Sequence, residues 1–292
     1  MQVIKDSGTF RNRVNTVISD FVVRVFGRKL NYQLRYLHHR KRWPNFKHPK
    51  DLSERVLSSM LKSDFLKYAD YADKVKVHEY VKSKGLDDIL LKQYAVWDNV
   101  NQIDFSILPN RFILKTNNGC GGHFVCTDKS QIDVTAVKLL MSEDMDVSNL
   151  VKTEPHYAKI VPKILAEELL GNGSDLPEDY KFYCINGKVD HVMVVCDRID
   201  GGRKVITLDK NWNLLPYISK QKMPSVIPSK PTNFQLMLEY AEILAEDFEF
   251  VRVDLYDVND RIYFGELTFS PNGGFFYSYL TDALDEIGSH FR

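Results

Sequence analysis

The chain has 292 residues, 44% of them hydrophobic and 12% aromatic, which excludes a disordered polypeptide and suffices for one large core or two to three coupled subdomains. Thirty-nine Lys and Arg balance thirty-nine Asp and Glu, excluding a bulk polyanion binder while leaving room for a local basic patch. Cys120, Cys126, Cys184 and Cys196 form neither a CxxC pair nor a disulfide-scaffold spacing, no run of about 18 apolar residues occurs, and the N-terminal apolar stretch is interrupted by charge, so the expectation is a cytoplasmic protein.

The first segment reads as helical. Val14, Val17, Ile18, Phe21, Val22, Val25 and Phe26 recur at three- and four-residue steps, and Gly27 offers a stop. Arg28, Lys29, Arg35, Arg40, Lys41 and Arg42 follow, interleaved with Tyr32, Tyr36 and Trp43. This stretch reads either as peripheral contact with the inner face of an anionic membrane or as a core helix beside a solvated charged face; the second is the commoner role of such a stripe. A second helical region is expected over 52–84, ended by Gly85.

The pattern then changes. Short strands are expected over 111–115 and 123–126 around a glycine-rich turn, and a helix over 132–141. A buried strand over 160–170 runs into Gly171-Asn172-Gly173. Two hairpins follow: one over 181–185 turns at Asn186-Gly187, the other over 250–256 turns at Asn259-Asp260 into 262–269. Between them Phe234, Met237, Leu238, Ala241, Leu244, Ala245 and Phe248 mark an amphipathic helix. Strands and helices mix without a βαβ rhythm, which gives an α+β class.

Four segments carry chemistry. In Lys115-Thr116-Asn117-Asn118-Gly119-Cys120-Gly121-Gly122, three glycines permit backbone amides to approach phosphate oxygens and Lys115 adds a point charge; a tight hairpin without a ligand selects the same glycines. Alternation along 251–256 puts Arg252, Asp254 and Tyr256 on one face, and Glu266 follows on the next strand. A two-residue loop places Asp254 opposite Gly265, and a three-residue loop places it opposite Glu266. In the second register two carboxylates face the same way and call for a cation, which magnesium suits. Ile164 to Leu169 is an apolar run ending in Glu167 and Glu168, either a strand edge for a flat base or a solvated strand end. Lys181 faces away from Phe182 and Cys184, toward phosphate or toward solvent.

In order and kind these elements resemble the ATP-grasp superfamily, and most of all its TupA-like branch of teichuronopeptide biosynthesis. The resemblance runs over 50–275, through Tyr71-Ala72-Asp73-Lys74-Val75-Lys76-Val77-His78-Glu79-Tyr80-Val81, Phe112 to Gly119, Pro162 to Leu169, Asp179 to Tyr183, Arg252-Val253-Asp254 and Phe264 to Phe269. It implies an ATP-grasp fold, two α+β lobes clasping ATP behind an N-terminal helical region, with divisions at 1–70, 71–165 and 166–292. It implies that Lys115 and Lys181 contact ATP phosphates and that Asn117, Asn118, Gly119, Gly121 and Gly122 close over them. Glu167, Glu168 and Leu169 would hold adenine, and Asp254 and Glu266 would hold Mg2+. Arg252 would steady the acyl phosphate or its adduct, making Arg252 and Lys181 the catalytic pair. Thr268 stands where many ATP-grasp enzymes place asparagine as a further metal ligand, as the TupA-like branch commonly has it, and Pro271-Asn272-Gly273-Gly274 replaces the usual Pro-Gly.

The implied activity is an ATP- and magnesium-dependent ligase joining a carboxylate to an amine through an acyl phosphate. The carboxylate would belong to a uronic-acid sugar, its polysaccharide or a glutamyl chain, and the amine to an amino acid or ammonia, in capsule or cell-envelope synthesis, with no nucleic-acid partner. The rivals are a glycosyltransferase, whose metal motif would be Asp144-Met145-Asp146, and a nucleotide-binding module without turnover. His38, His39, His78, His123, His156 and His191 lack metal-ligand spacing.

Overall fold

A computed structural model of the chain describes residues 2–4, 10–119, 123–148, 150–171, 177–196 and 204–292. In chain order the elements begin with β1 (Gln2–Ile4), α1 (Phe10–Arg40), α2 (Leu52–Met60), α3 (Ala69–Ala72) and α4 (Val77–Ser83). Then come β2 (Gln93–Trp97), β3 (Phe112–Thr116), β4 (His123–Cys126), α5 (Val134–Met145), α6 (Leu150–Thr153) and β5 (Ile164–Glu167). The remainder is β6 (Asp179–Ile185), β7 (Lys188–Cys196), β8 (Lys204–Leu208), α7 (Phe234–Ala245), β9 (Phe250–Val258), β10 (Arg261–Thr268) and α8 (Thr281–Ser289).

Contacts group these elements into two compact units, one of Met1–Asn31, Asp64–His78 and Leu91–Gly173, the other of Tyr32–Ser63, Glu79–Leu90 and Ser174–Arg292. Each holds a five-stranded antiparallel sheet, in the order β1-β4-β3-β5-β2 in the first and β10-β9-β6-β7-β8 in the second. The α+β class is therefore the one expected.

In the first unit, alternation along β3 sends Phe112, Leu114 and Thr116 to a buried face, where Phe124, Ile164 and Ala166 join Val137, Leu140 and Met141 of α5 in one core. α5 starts where Asp133 accepts a hydrogen bond from the Ala136 amide, two residues later than expected, and runs on to Met145. The strand expected over 160–170 is confined to Ile164–Glu167, preceded by a 3-10 turn and Pro162, which has no amide to donate to a ladder.

In the second unit, α7 lays Phe234, Met237, Leu238, Ala241 and Leu244 on one face of the sheet, against buried Phe182, Cys184, Val251, Val253 and Leu255. The other face is left to the polar residues of β6, β9 and β10. Both hairpins turn through two residues with positive φ, Asn186 and Gly187 (50° and 75°) and Asn259 and Asp260 (53° and 58°), the twist that suits right-handed strands.

One helical expectation is corrected. Gly27, at φ 82° and ψ 166°, breaks α1 without ending it, and helix resumes to Arg40; the side chains of Val14, Val17 and Ile18 lie outside the described residues. The region over 52–84 is helical as expected, in the form of α2, a 3-10 turn, α3 and α4. Asp73 is extended at ψ 113°, and its carboxylate accepts from the amides of Val75 and Lys76 to start a new turn. Gly85 does end α4, at φ 72°.

Part of the basic cluster is absorbed in the second unit. Asp51 caps α2 and accepts hydrogen bonds from Tyr36, from Arg40 at 3.3 Å and from Arg42 at 2.9 Å. Arg42 also reaches Glu54 at 2.7 Å, and Arg35 reaches the Tyr277 hydroxyl at 2.7 Å. Among the described residues no helix is long and apolar enough to cross a membrane.

Candidate active site

Register assembles the polar face of the second sheet into two adjacent rungs. Met193, Lys181, Asp254 and Glu266 stand side by side across β7, β6, β9 and β10; in the next rung stand His191, Tyr183, Arg252 and Thr268. Residues directly opposite across antiparallel strands share a face, so the sequence-predicted Lys181, Arg252, Asp254, Glu266 and Thr268 are all brought together.

The pairing of Asp254 with Glu266 is reached differently from the sequence expectation. The turn has two residues, which in an unbroken ladder would set Asp254 opposite Gly265. A β-bulge at Gly265 inserts one extra residue and moves the partner on to Glu266. A Cβ on Gly265 would lie 2.9 Å from Cε2 of Tyr256 and 3.0 Å from the Asp254 carbonyl oxygen, so the bulge selects glycine. The spacing of the buried residues carries the signal, two from Ile262 to Phe264 and three from Phe264 to Leu267.

The side chains interlock. Nη2 of Arg252 donates to Asp254 Oδ2 at 2.7 Å, to Glu266 Oε1 at 2.7 Å and to Thr268 Oγ1 at 2.9 Å. Nε of Arg252 donates to Asp254 Oδ1 at 2.6 Å, and Thr268 donates to Glu266 at 2.9 Å. The Lys181 ammonium is held by Asp254 and, at 2.6 Å, by Asp179. Asp179 was missed in the sequence, although it lies two residues before Lys181 on one strand and so on the same face.

Burial sets the electrostatics. It lifts the Asp254 carboxyl above its ordinary pKa, against the pull of Arg252 and Lys181. It also works against the Arg252 charge, but Asp254 and Glu266 outweigh it and hold that guanidinium well above its usual range. The face therefore carries formal charges of opposite sign locked in contact, the condition in which removing one partner is most costly.

The donor set fits magnesium. Two carboxylates and a hydroxyl are hard oxygen ligands, and their three oxygens already converge on one cationic nitrogen. Such a set leaves the remaining ligands of the ion to phosphate and water.

In the first unit, Lys115 of β3 donates to Glu167 Oε2 of β5 at 3.0 Å. Gln93 of β2 donates to Glu167 Oε1 at 3.3 Å and lies 3.2 Å from Nε2 of His78. Burial alone would raise the Glu167 pKa; Lys115, then Gln93 and His78, more than offset it and the net direction is down. Gln93 and His78 carried no sequence signal, because the register that gathers them is set by strands far apart in the chain.

Asn117 and Asn118 are fully buried. Asn117 accepts from the Lys163 amide at 2.7 Å and donates to the Val161 carbonyl at 3.1 Å, and Asn118 donates to the Met145 carbonyl at 3.4 Å, so both amides fasten the base of the glycine-rich turn. The Gly119 carbonyl accepts from Lys74 at 2.5 Å. Gly121 and Gly122 lie outside the described residues, as does Cys120. Glu168 uses its amide on the Lys92 carbonyl at 3.0 Å, and Leu169 follows half-buried beyond the strand. Asp144 and Met145 end α5, and Asp146 turns its carboxylate onto the Ser148 amide at 2.9 Å, which is not how a strand-end metal motif is built.

Comparison with known proteins agrees with the fold expected from sequence. The model of the family described as TupA-like ATPgrasp matches residues 54–292. The chain is an ATP-grasp protein, and within that superfamily it belongs to the TupA-like family.

Among solved structures it is similar to the ATP-grasp ligase PsnB complexed with minimal precursor, at 12% identity and TM-score 0.40, over 70% of this chain and 54% of that one. It is similar to the D-alanine–D-alanine ligase of Bacillus anthracis at 12% identity and TM-score 0.42, over 82% of this chain and 65% of that one. A PsnB complex with a phosphomimetic precursor variant, Mg and ADP is matched at 12% identity and TM-score 0.45, over 97% of this chain and 74% of that one. The chain thus spans 54% and 65% of the length of the first two. None of the curated proteins matches it.

Proposed function

We propose that the chain is an ATP- and magnesium-dependent ligase that joins a carboxylate to an amine through an acyl phosphate. The carboxylate is that of an acidic sugar, its polysaccharide or a precursor in capsule or cell-envelope synthesis, and the amine is an amino acid or ammonia. The observation that carries this reading is the convergence of Asp254, Glu266 and Thr268 oxygens on one nitrogen of Arg252, with Lys181 paired to Asp254 on the neighbouring strand. The sugar-acid assignment extends the family's tie to teichuronopeptide synthesis.

Asp254 and Glu266 would hold the metal, with the Thr268 hydroxyl beside them. Magnesium ATP, when bound, supplies the transferable phosphoryl group and part of the charge that stabilises it. Lys181 is buried and paired, so its ammonium is oriented before substrate arrives and needs little reorganisation to face negative charge. Arg252 presents a planar fork pinned by three partners, suited to an oxyanion developing at the carboxylate carbon. Lys115, held by Glu167, is assigned a phosphate contact in its own unit.

The test is ADP release with magnesium, pairing uronic acids and acidic oligosaccharides with amino acids or ammonia. ADP formed only when both substrates are present, and abolished in Asp254→Asn and Glu266→Gln, is the expected result. Absence of ATP binding to the wild-type chain overturns the assignment.

A further inference from the structure

A bulge in β7 brings two consecutive side chains together. Tyr183 pairs with His191 and Cys184 with Val189, so Asp190 is an extra residue in the ladder. Consecutive strand residues ordinarily point to opposite faces. Here the Asp190 carboxylate lies 2.6 Å from Nδ1 of His191 and, by its other oxygen, 2.5 Å from Nδ1 of His290 after α8. His191 is wholly buried, flat against Tyr183 at 4.6 Å between ring centroids, and its Nε2 lies 2.6 Å from the Tyr279 hydroxyl.

These contacts assign the donors. Burial alone would raise the Asp190 pKa, but His191 and His290 more than offset it and the group stays a carboxylate. A carboxylate only accepts, so Nδ1 of His191 carries the proton and Nε2 of the neutral ring accepts from Tyr279. The Tyr279 oxygen in turn accepts from Tyr183, to which it is hydrogen-bonded. Tyr217 meets His191 edge-on at 5.4 Å and spends its hydroxyl on Glu286 at 2.8 Å, so the chain does not branch there.

Tyr183 is the open end. A cleft of about 240 Å³ lies over the polar face, floored by Lys181, Tyr183 and Arg252 and walled by Lys222, Asn272 and Ser278. Tyr183 stands directly opposite Arg252 across β6 and β9. Apolar packing would serve stability as well as a buried polar chain does. This chain instead ends in the cleft, beside the guanidinium that the ligase reading places at the acyl carbon.

We infer that the chain is the general base for the amine: Tyr183 takes a proton from it, relayed through Tyr279 to His191, with Asp190 and His290 as positioning residues. This rests on the ligase reading for the reaction and adds the group that readies the nucleophile. At neutral pH an amine arrives as its ammonium, which has no lone pair to attack with. As one N–H bond breaks, its proton joins the Tyr183 oxygen, the Tyr183 proton moves to Tyr279, and the Tyr279 proton moves to Nε2 of His191. The freed lone pair forms the C–N bond, the C–O bond to phosphate breaks, and a second proton leaves with the phosphate. Once the products depart, the imidazolium returns its proton along the same hydroxyls to water in the cleft.

The experiment has two arms. Nitrogen NMR of the full chain labelled at histidine reads the His191 tautomer, with His191→Gln identifying its signals. In parallel, amide formation from ammonia is compared with hydroxamate formation from hydroxylamine, using ATP, magnesium and galacturonate, digalacturonate or γ-glutamylglutamate. Hydroxylamine is already neutral at neutral pH and needs no base to free its lone pair. The wild type is expected to carry the proton on Nδ1. Tyr183→Phe and Tyr279→Phe should each lower the ratio of amide to hydroxamate about a hundredfold or more, through kcat. Asp190→Asn offers Nδ1 a donor, so it should move the proton to Nε2 and lower the ratio likewise. A wild-type proton on Nε2, or a ratio unchanged in both phenylalanine variants, overturns the inference. Amide and hydroxamate falling together in those variants also overturns it, leaving a structural role. No hydroxamate from the wild type with any of the three acids overturns the ligase reading itself, and with it the amine as the source of the proton.

Discussion

Replacing Gly265 with alanine places a methyl group where the hairpin has no space for it. The new Cβ would sit 2.9 Å from Cε2 of Tyr256, 3.0 Å from the Asp254 carbonyl oxygen and 3.4 Å from the Asp254 Cβ. The tyrosine ring can swing away; the carbonyl belongs to the neighbouring strand and cannot. Overpacking of this kind costs about 1–3 kcal/mol. Gly265 is not among the residues with positive φ, so the loss of glycine freedom in the unfolded chain returns about 0.4–1 kcal/mol. The net expectation is a loss of about 1–2 kcal/mol, read as a lower urea midpoint at unchanged slope. The displaced carbonyl is that of Asp254 itself, and Gly265 precedes Glu266, so strain falls on the carboxylate pair. Magnesium titration of nucleotide binding should then shift about tenfold to higher metal, the equivalent of about 1.4 kcal/mol, while metal-free nucleotide binding changes little. An alanine variant with wild-type stability and a wild-type magnesium titration would refute the idea that the bulge sets the metal pair.

Gly288→Ala should be more damaging, because a Cβ there meets only backbone, 2.2 Å from the Lys50 carbonyl oxygen and 2.4 Å from the Asp51 Cα; a loss of about 3 kcal/mol or more is expected in denaturant melts. His156 is buried beside Phe65, and burial drives its pKa down from 6.5 to about 3. The unfolded chain takes up a proton below about pH 6.5 while the folded one does not. The stability present above that pH is therefore lost as pH falls toward 3, at up to about 1.4 kcal/mol per pH unit, and His156→Phe should flatten this limb of the urea midpoint against pH. Lys115→Met leaves the Glu167 carboxylate buried without its cation. It should cost about 1–3 kcal/mol, most of it recovered in the double variant with Glu167→Gln, and a double-mutant cycle measures the coupling.

Local signals were legible where local chemistry decides structure. Asn186-Gly187 and Asn259-Asp260 marked the places of the hairpin turns, and the apolar spacing of Phe234 to Leu244 announced α7. Alternation put Arg252 and Asp254 on one face of their strand and Lys181 on the face of its own strand away from Phe182 and Cys184; the pairing of β6 with β9 joins those faces. What failed depended on distant or competing partners. The Glu266 register was posed as a choice of turn length, whereas a glycine bulge in the middle of the strand resolves it. Arg40 and Arg42 read as part of a surface patch because Asp51 and Glu54, which hold them, are themselves hidden by folding. Glu167 could be singled out in the chain, but its clasp on Lys115 and Gln93 needs three strands in order.

Lys181, Arg252, Asp254, Glu266 and Thr268 all stand on hydrogen-bonded strands, whereas Lys222, Asn272 and Ser278 stand on the connecting segments after β8 and β10. On the ligase reading proposed above, the five residues that it assigns on this sheet are all carried by paired strands, so a single insertion in β9 or β10 would shift the register that gathers them. Changes in the two connecting segments would leave that register in place.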